Sequence, residues 1–386
     1  MKKISVVFVS LAFLFFQNAY ADSLKLSVPP LVANQQLIDH ISEWDGHITV
    51  MAEQYSSKSQ ISRKVFYYLD QKGKSIKPLI IKDGFEIVSL AENTTQSLAL
   101  CLRQGKLFLL EKSRSISSQW AIHPLSIKAD VGKDLKLAAT DHIFFLVAPT
   151  HLWHSPDLKK WKKLQYSDIL KDGWGEPWSE FSRLPEVVLA SEDAIFLGFD
   201  RGEWGGAAHQ IPLGRKGPTG NGKKIASFNV REIKQDPDGI VWIAGGLSHK
   251  ASEAANLYRY TKGKITVVIS QYGIGGALPK KSEETLAELP ASTDITGLAI
   301  SKDGKPVILA SRIGILEYSG GKFSSLIPSD FYSRYRSFGS FPQGMLIRND
   351  DIYVGSRSLG VFEFKKKDGG YNFYQFTFAD SSPGSN

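Results

Sequence analysis

A short unit recurs along this chain: an alternating strand, a tight turn of Asp, Gly or Asn, a second strand rich in aromatic and β-branched residues, a loop, and then another hairpin. Long stripes of 3.6-residue period are nearly absent. Regularly spaced strands punctuated by turn residues are the pattern of an all-β chain. Three copies are plain. VREIKQDPDGIVWIAGG (230–246) precedes NLYRYTKGKITVVI (256–269), ITGLAISKDGKPVILAS (295–311) precedes GILEYSGGKFSSLI (314–327), and GMLIRNDDIYVGS (344–356) precedes GVFEFKKKDGGYNFYQFTF (360–378). Each reads as four strands, A to D. Turns join A to B (Pro237-Asp238-Gly239, Asp303-Gly304, Asn349-Asp350) and C to D (Lys262-Gly263, Gly320-Gly321, Asp368-Gly369). Asp-Gly and Gly-Gly supply the positive φ that two-residue hairpins demand.

Four weaker copies come before these. They are 37–53 with 64–81, 97–112 with the strand ending at His123, 135–149 with 150–164, and 186–200 with 208–214. A four-stranded sheet with two apolar faces cannot bury itself alone, whereas like sheets set around an axis bury one another. The expectation is a seven-bladed β-propeller; six or eight blades also fit, because the early copies are degenerate. Repeat stacking also answers the length of the chain, 386 residues, which exceeds the usual span of one compact core. The division expected is 1–21 as a signal peptide and 22–386 as one propeller, with 379–386 a disordered tail. Leu24 to Val28 could add a strand at the point of ring closure.

Two resemblances support the architecture. Asp236-Pro-Asp-Gly239-Ile-Val-Trp242-Ile-Ala-Gly245 resembles the two-component-regulator propeller repeat, which commonly forms the extracytoplasmic sensing part of a kinase. No kinase region follows here, so the resemblance implies a stand-alone propeller. Ser155-Pro156-Asp157-Leu158-Lys159-Lys160-Trp161 resembles the Asp-box turn between strands C and D of sialidase-like propellers, without its usual turn glycine. Together they cover about half the chain, and both imply fold rather than chemistry.

The first residues fix an expected compartment. Lys2 and Lys3 precede the apolar run Ile4–Phe16, and Ala19-Tyr20-Ala21 is a small-x-small cleavage site. That run is too short for a stable membrane span, which needs about 20 residues. Cleavage after Ala21 would send the chain to the periplasm or the medium, with no membrane span. Without Lys2 and Lys3 the basic count falls from 47 to 45 against 39 acidic residues, a net charge of +6. Nucleic acid is a poor partner for an exported protein, so anionic glycans, peptides or proteins are the expected ligands. The single cysteine, Cys101, cannot form an internal disulfide and reads as a buried small hydrophobe. A monomer without cofactor is expected.

Propeller connectivity puts the B–C and D–A loops on one face. The long insertions 165–185, 200–208, 246–255, 269–294 and 327–343 fall in that set, whereas 214–223 reads as a C–D excursion on the other face. Long loops on a rigid scaffold commonly carry binding chemistry. Trp174, Trp178 and Trp204 offer indole faces for sugar rings or apolar groups. Arg201, Arg312 and Arg357 fall near the ends of B strands and would favour an anionic group. The ligand-binding candidates are therefore Arg201, Trp204, Arg312, Arg357, Trp174 and Trp178. No HExxH or GxSxG motif occurs, and His151 and His154 are three apart on a strand, so they face opposite sides, which does not suit one metal. No metal ligands are assigned. The expected function is a non-enzymatic binding or scaffold propeller. The alternative is a polysaccharide hydrolase or lyase using Glu203, His209 and Glu176, since a carboxylate pair or an acid/base histidine is what glycoside chemistry needs.

Overall fold

The structure is a computed structural model that describes residues 36–55, 62–114, 119–127, 135–170, 183–202, 205–249, 252–274, 280–281, 286–289, 293–311, 313–328, 342–357, 359–368 and 370–378. The expected signal peptide, the Leu24–Val28 strand and the 379–386 tail lie outside these residues.

Among the described residues the strands fall into seven consecutive antiparallel sets, lettered A to D from the axis outward. Blade one is Gln36–Trp44, His47–Tyr55, Ser62–Asp70 and Ser75–Pro78. Blade two is Glu86–Glu92, Gln96–Arg103, Lys106–Ser113 and Ala121–Pro124. Blade three is Lys136–Ala139, Phe144–Val147, His151–Ser155 and Lys162–Gln165. Blade four is Val187–Ala190, Ala194–Asp200, Gly206–Gly214 and Lys223–Ala226. Blade five is Val230–Gln235, Val241–His249, Ser252–Thr261 and Lys264–Ile274. Blade six is Ile295–Ile300, Pro306–Ala310, Gly314–Ser319 and Lys322–Pro328. Blade seven is Pro342–Arg348, Asp351–Ser356, Gly360–Lys367 and Gly370–Phe378. Every blade packs against its neighbours in sequence, and blade seven packs against blade one, so the sheets form a closed β-propeller ring.

The core explains why strands B read as nearly unbroken apolar runs. Each blade is sandwiched between two others, so both faces of its sheet are buried. Phe145 and Val147 face blade four, whereas Phe144, Leu146 and Ala148 face blade two. Seven apolar clusters result, one per interface between blades. They are unequal. Between blades one and two, the fully buried cluster is Trp44 from blade one with Ala99, Cys101 and Leu110 from blade two. Trp44 is fixed there by its indole N–H, which donates to the Ala91 and Leu98 carbonyls at 3.1 and 3.0 Å.

The A–B turns also tie neighbour to neighbour. The Asp45 amide donates to Glu92 (3.2 Å), the Asn93 side-chain amide to the Thr140 carbonyl (2.9 Å), and the Thr94 amide to Asp141 (3.0 Å), each across 47 residues. The recurring offset is the repeat length read directly from hydrogen bonds. The Asp236 carboxylate shows what the repeat motif is for. It accepts the amides of Asp238 and Ile240 and the indole N–H of Trp242 at 3.0, 2.9 and 2.9 Å, closing the turn and anchoring the buried ring. The Asp-box-like segment is likewise a C–D turn, in which Asp157 accepts the amides of Lys159 and Lys160. Those bonds hold its carboxyl below the usual range. Leu158 takes the left-handed position, φ +60°, that glycine would occupy.

Among the described residues the ring closes without exchange of strands between blades one and seven. The outermost strands of blades one and seven meet in a short parallel patch, Ser75 beside Thr377 and Ile76 beside Phe378. The Ile38 amide also donates to the Arg357 carbonyl at 3.0 Å.

Two local assignments differ from the sequence reading. In blade two the Gln104-Gly105 hairpin joins B to C, not A to B, and the inner strand is Glu86–Glu92. Its mixed sequence EIVSLAE hides a strand that lines the axis. In blade five, 246–255 is not an open B–C loop: strands B and C continue as a paired hairpin to His249 and Ser252. The 214–223 excursion does follow strand C of blade four, with Gly217–Pro218 paired to Leu213–Gly214.

Candidate functional site

The inner strands carry a recurring irregularity. In blades one, two, five, six and seven the A–B register slips at the same place, between Ile38 and His40, Ile87 and Ser89, Val230 and Glu232, Ile295 and Gly297, and Pro342 and Met345. The skipped residues include Asp39, Val88, Arg231, Thr296 and Gly344. A bulge takes a residue out of the ladder and re-aims its side chain. All five line a single cavity of about 220 Å³ at the axis. Blades three and four complete it with Lys136 and Glu186, so all seven blades contribute to its wall. The cavity continues between blades one and two, where Met51, Phe66 and Leu90 line it. This is the interface with the smallest buried cluster.

The wall carries both signs of charge. Arg231 is held by Asp200 at 2.6 Å, and Glu232, 2% exposed, lies 3.3 Å from Lys234. The Lys136 ammonium donates to the Glu186 carbonyl. Burial raises the pKa of Glu232, against the pull of Lys234. Burial also raises that of Asp200, against Arg231. Asp39 is raised by burial and by Glu186, and Lys64 and Lys136 oppose this. Lys136 is pushed down, by burial first. The His40 ring keeps 35% of its surface, but that surface opens onto the walled channel rather than bulk water. Burial, with Lys234, Lys136 and Lys64 nearby, lowers its pKa to about 3. His40 and Glu232 approach to 3.7 Å, too long for a hydrogen bond. The directions of both shifts make this contact a neutral base beside an acid that resists ionisation. A site of this kind can bind a polar molecule bearing both charges, because the groups are fixed and shielded from bulk water.

Of the residues singled out from sequence, Trp174, Glu176, Trp178, Glu203, Trp204 and Arg312 lie outside the described residues. Arg201 directly follows strand B of blade four. Its amide donates to the Gly205 carbonyl at 2.9 Å and to the Asn229 side chain at 3.2 Å, which ties that loop to blade five. Arg357 is exposed at the matching end of blade seven. Neither belongs to the cavity wall. His209 is 0% exposed on strand C, edge-on to Phe199 with ring centroids 5.9 Å apart. The sequence reading overlooked Asp39, Lys136, Glu186, Arg231 and Glu232. A partial signal was present: Asp39, Arg231 and Glu232 sit inside LIDHI and VREI, on inner strands that border the axis, but which of these side chains reach the channel depends on the bulges.

No protein-family model and no curated protein matches the sequence. Among solved structures, similarity extends to the extracellular domain of a putative hybrid two-component system from B. thetaiotaomicron, at 12% identity and a TM-score of 0.46; the alignment covers 87% of this chain and 39% of that one. The propeller domain of the Trilobed protease from Pyrococcus furiosus aligns at 9% identity and a TM-score of 0.49, over 89% of this chain and 96% of that one. Sqt1 of Saccharomyces cerevisiae aligns at 10% identity and a TM-score of 0.48, over 89% and 86%.

Proposed function

We propose that the chain is an exported binding propeller that captures a small polar ligand in its axial cavity. The observation that carries this reading is the cavity itself, to which every blade contributes and which five bulged inner strands line, four with side chains and the fifth with Gly344. Bulges conserve neither ladder hydrogen bonds nor a flat sheet, so their recurrence at one level suits a functional wall. Export, to periplasm or medium, rests on the three-part N-terminal segment and its small-x-small site. The volume suits a small molecule or the end of a peptide or glycan rather than a macromolecular surface. A purely anionic ligand is less well supported than a mixed one, because Arg231 already holds Asp200 and Lys234 already holds Glu232. The polysaccharide-cleaving alternative gains no support from His209, which has no exposed surface. The test is a thermal-shift screen of the 22–386 chain against amino acids, short peptides, oligosaccharides and organic acids. Ligands that stabilise it should lose their effect in Glu232→Gln and Lys136→Met. Stabilisers indifferent to both substitutions would overturn the axial site.

A further inference from the structure

Three charged side chains on the cavity wall, Asp39, Lys64 and Glu186, form no hydrogen bond and no ion pair among the described residues. Glu186 is exposed, whereas Asp39 and Lys64 are half-buried and influence each other electrostatically. Asp39 is the bulged residue of the blade-one inner strand. Lys64 comes from strand C of the same blade, cross-strand from Glu53, and reaches the cavity over the crevice between blades one and two. The crevice below them has an apolar side, with the hydroxyls of Ser42, Thr49 and Ser89 also on the cavity wall. On the apolar side Phe66 is 8% exposed, Val88 is 8% exposed, and Met51 and Leu90 complete the set. It exists because Trp44 alone supplies the fully buried blade-one side of that interface's cluster among the described residues.

These observations describe a ligand with one cationic end, one anionic end and one aliphatic arm. Size narrows it further. A dry cavity of about 150 Å³ holds benzene, with its six carbons. On the same scale the 220 Å³ cavity holds about nine non-hydrogen atoms. We propose that the ligand is a free aliphatic α-amino acid of about the size of leucine, with its ammonium on Asp39, its carboxylate on Lys64 and its side chain in the crevice between blades one and two. This deepens the axial-site reading and rests on it. The arm is assigned to the Met51, Phe66, Val88 and Leu90 side of the crevice because those four side chains present no donor or acceptor.

The test is calorimetric titration of the 22–386 chain with L-leucine, L-leucinamide, 4-methylpentanoate and glycine. Leucine should bind. Each of the other three should bind about tenfold more weakly or worse, since each lacks one charged contact or the apolar arm. The variants should cross over. Asp39→Asn should weaken leucine about tenfold and leave 4-methylpentanoate unaffected, and Lys64→Gln should weaken leucine and leave leucinamide unaffected. A merely structural role for either residue would weaken all ligands alike. Absence of leucine binding, or equal affinity for leucine and its two analogues, would overturn the assignment. If the wild type instead binds another small molecule in a manner lost in Glu232→Gln but untouched by Asp39→Asn, the axial site stands and the amino-acid assignment falls. If nothing in the wider screen binds, both fall together.

Discussion

Substituting Lys74 by methionine should open the junction between the first and last blades at a cost of about 2 kcal/mol. The C–D turn of blade one reaches across that junction. The Lys74 ammonium donates to Glu363 Oε2 at 3.1 Å and sits over the rings of Tyr374 and Phe376, at 4.4 and 4.9 Å from their centroids. Tyr353 donates to the other carboxylate oxygen at 2.7 Å. Burial and this bond keep the Tyr353 phenol well above its ordinary pKa, so it remains a donor throughout the working range. Glu363 is 1% exposed, and depriving a buried carboxylate of its cation costs about 3–5 kcal/mol. Lys74 is 42% exposed, so solvent screens part of that attraction. The ring contacts contribute about 0.5–1 kcal/mol more, and methionine retains much of the apolar stem. About 2 kcal/mol is the balance. The comparison is Lys305→Met, which breaks an ion pair of similar length, 2.9 Å, inside blade six; its partner Glu317 is 21% exposed, and the effect should be far smaller. Urea unfolding followed by tryptophan fluorescence and circular dichroism gives both values, and Glu363→Gln completes a double-mutant cycle in which a coupling above about 1 kcal/mol is expected. If Lys74→Met and Lys305→Met destabilise equally, or the cycle shows no coupling, the reasoning from burial is wrong.

Other substitutions probe other parts of the ring. Asp236→Ala should destabilise by about 2–4 kcal/mol, because it leaves the Trp242 N–H buried without its acceptor and uncaps the A–B turn; urea midpoints check this. Gly360→Ala should destabilise strongly, since its φ is +97° and an added Cβ would meet the Phe376 carbonyl oxygen, and a lowered melting temperature is the readout. Lys262→Asn should stabilise by about 0.5–1 kcal/mol, measured the same way, because Lys262 holds φ +46° ahead of Gly263 in the C–D turn of blade five. Glu232 has its pKa raised on folding, so its favourable contribution is complete below the unfolded pKa and is lost as pH rises through the folded value. Glu232→Gln should accordingly be more favourable relative to wild type at pH 8 than at pH 4 in melting curves. Cys101 is 0% exposed with its thiol pushed up to about 12, so it should react with a thiol reagent at pH 8 only after unfolding in urea.

The architecture was legible because its signals are local. Turn glycines and aspartates such as Asp303-Gly304, and doubly buried runs such as FFLV at 144–147, follow from backbone sterics and from burial on both faces. Blade two was misread by one strand for the same reason: Gln104-Gly105 marks a hairpin but not which hairpin. The site was less legible because it depends on register. Asp39 and Arg231 line the axis through bulges, and strict alternation along LIDHI or VREI cannot show where a strand skips a residue. The buried state of His209 was hidden too, since alternation along strand C does not show which positions the neighbouring blades cover: Ala207 to Ile211 are all buried, whereas Gly206, Pro212 and Gly214 are only partly so. The unfilled crevice was the least visible feature. It arises from how little blade one sends into a neighbour nearly fifty residues away, and no local pattern encodes that.

Because, among the described residues, no blade borrows a strand from another, the order of modules matters to this ring and the starting point does not. Joining the present ends and cutting between two other blades would leave every antiparallel ladder intact, sacrificing only the contacts that cross the new gap. Circularly permuted versions should therefore reach the same ring, each assembling module by module from nearby sequence. They would differ in which junction is sealed last. A version opened between blades one and two would place its loosest seam at the cut, so comparing its ligand capture with that of one opened elsewhere would reveal whether the crevice needs a continuous chain beneath it.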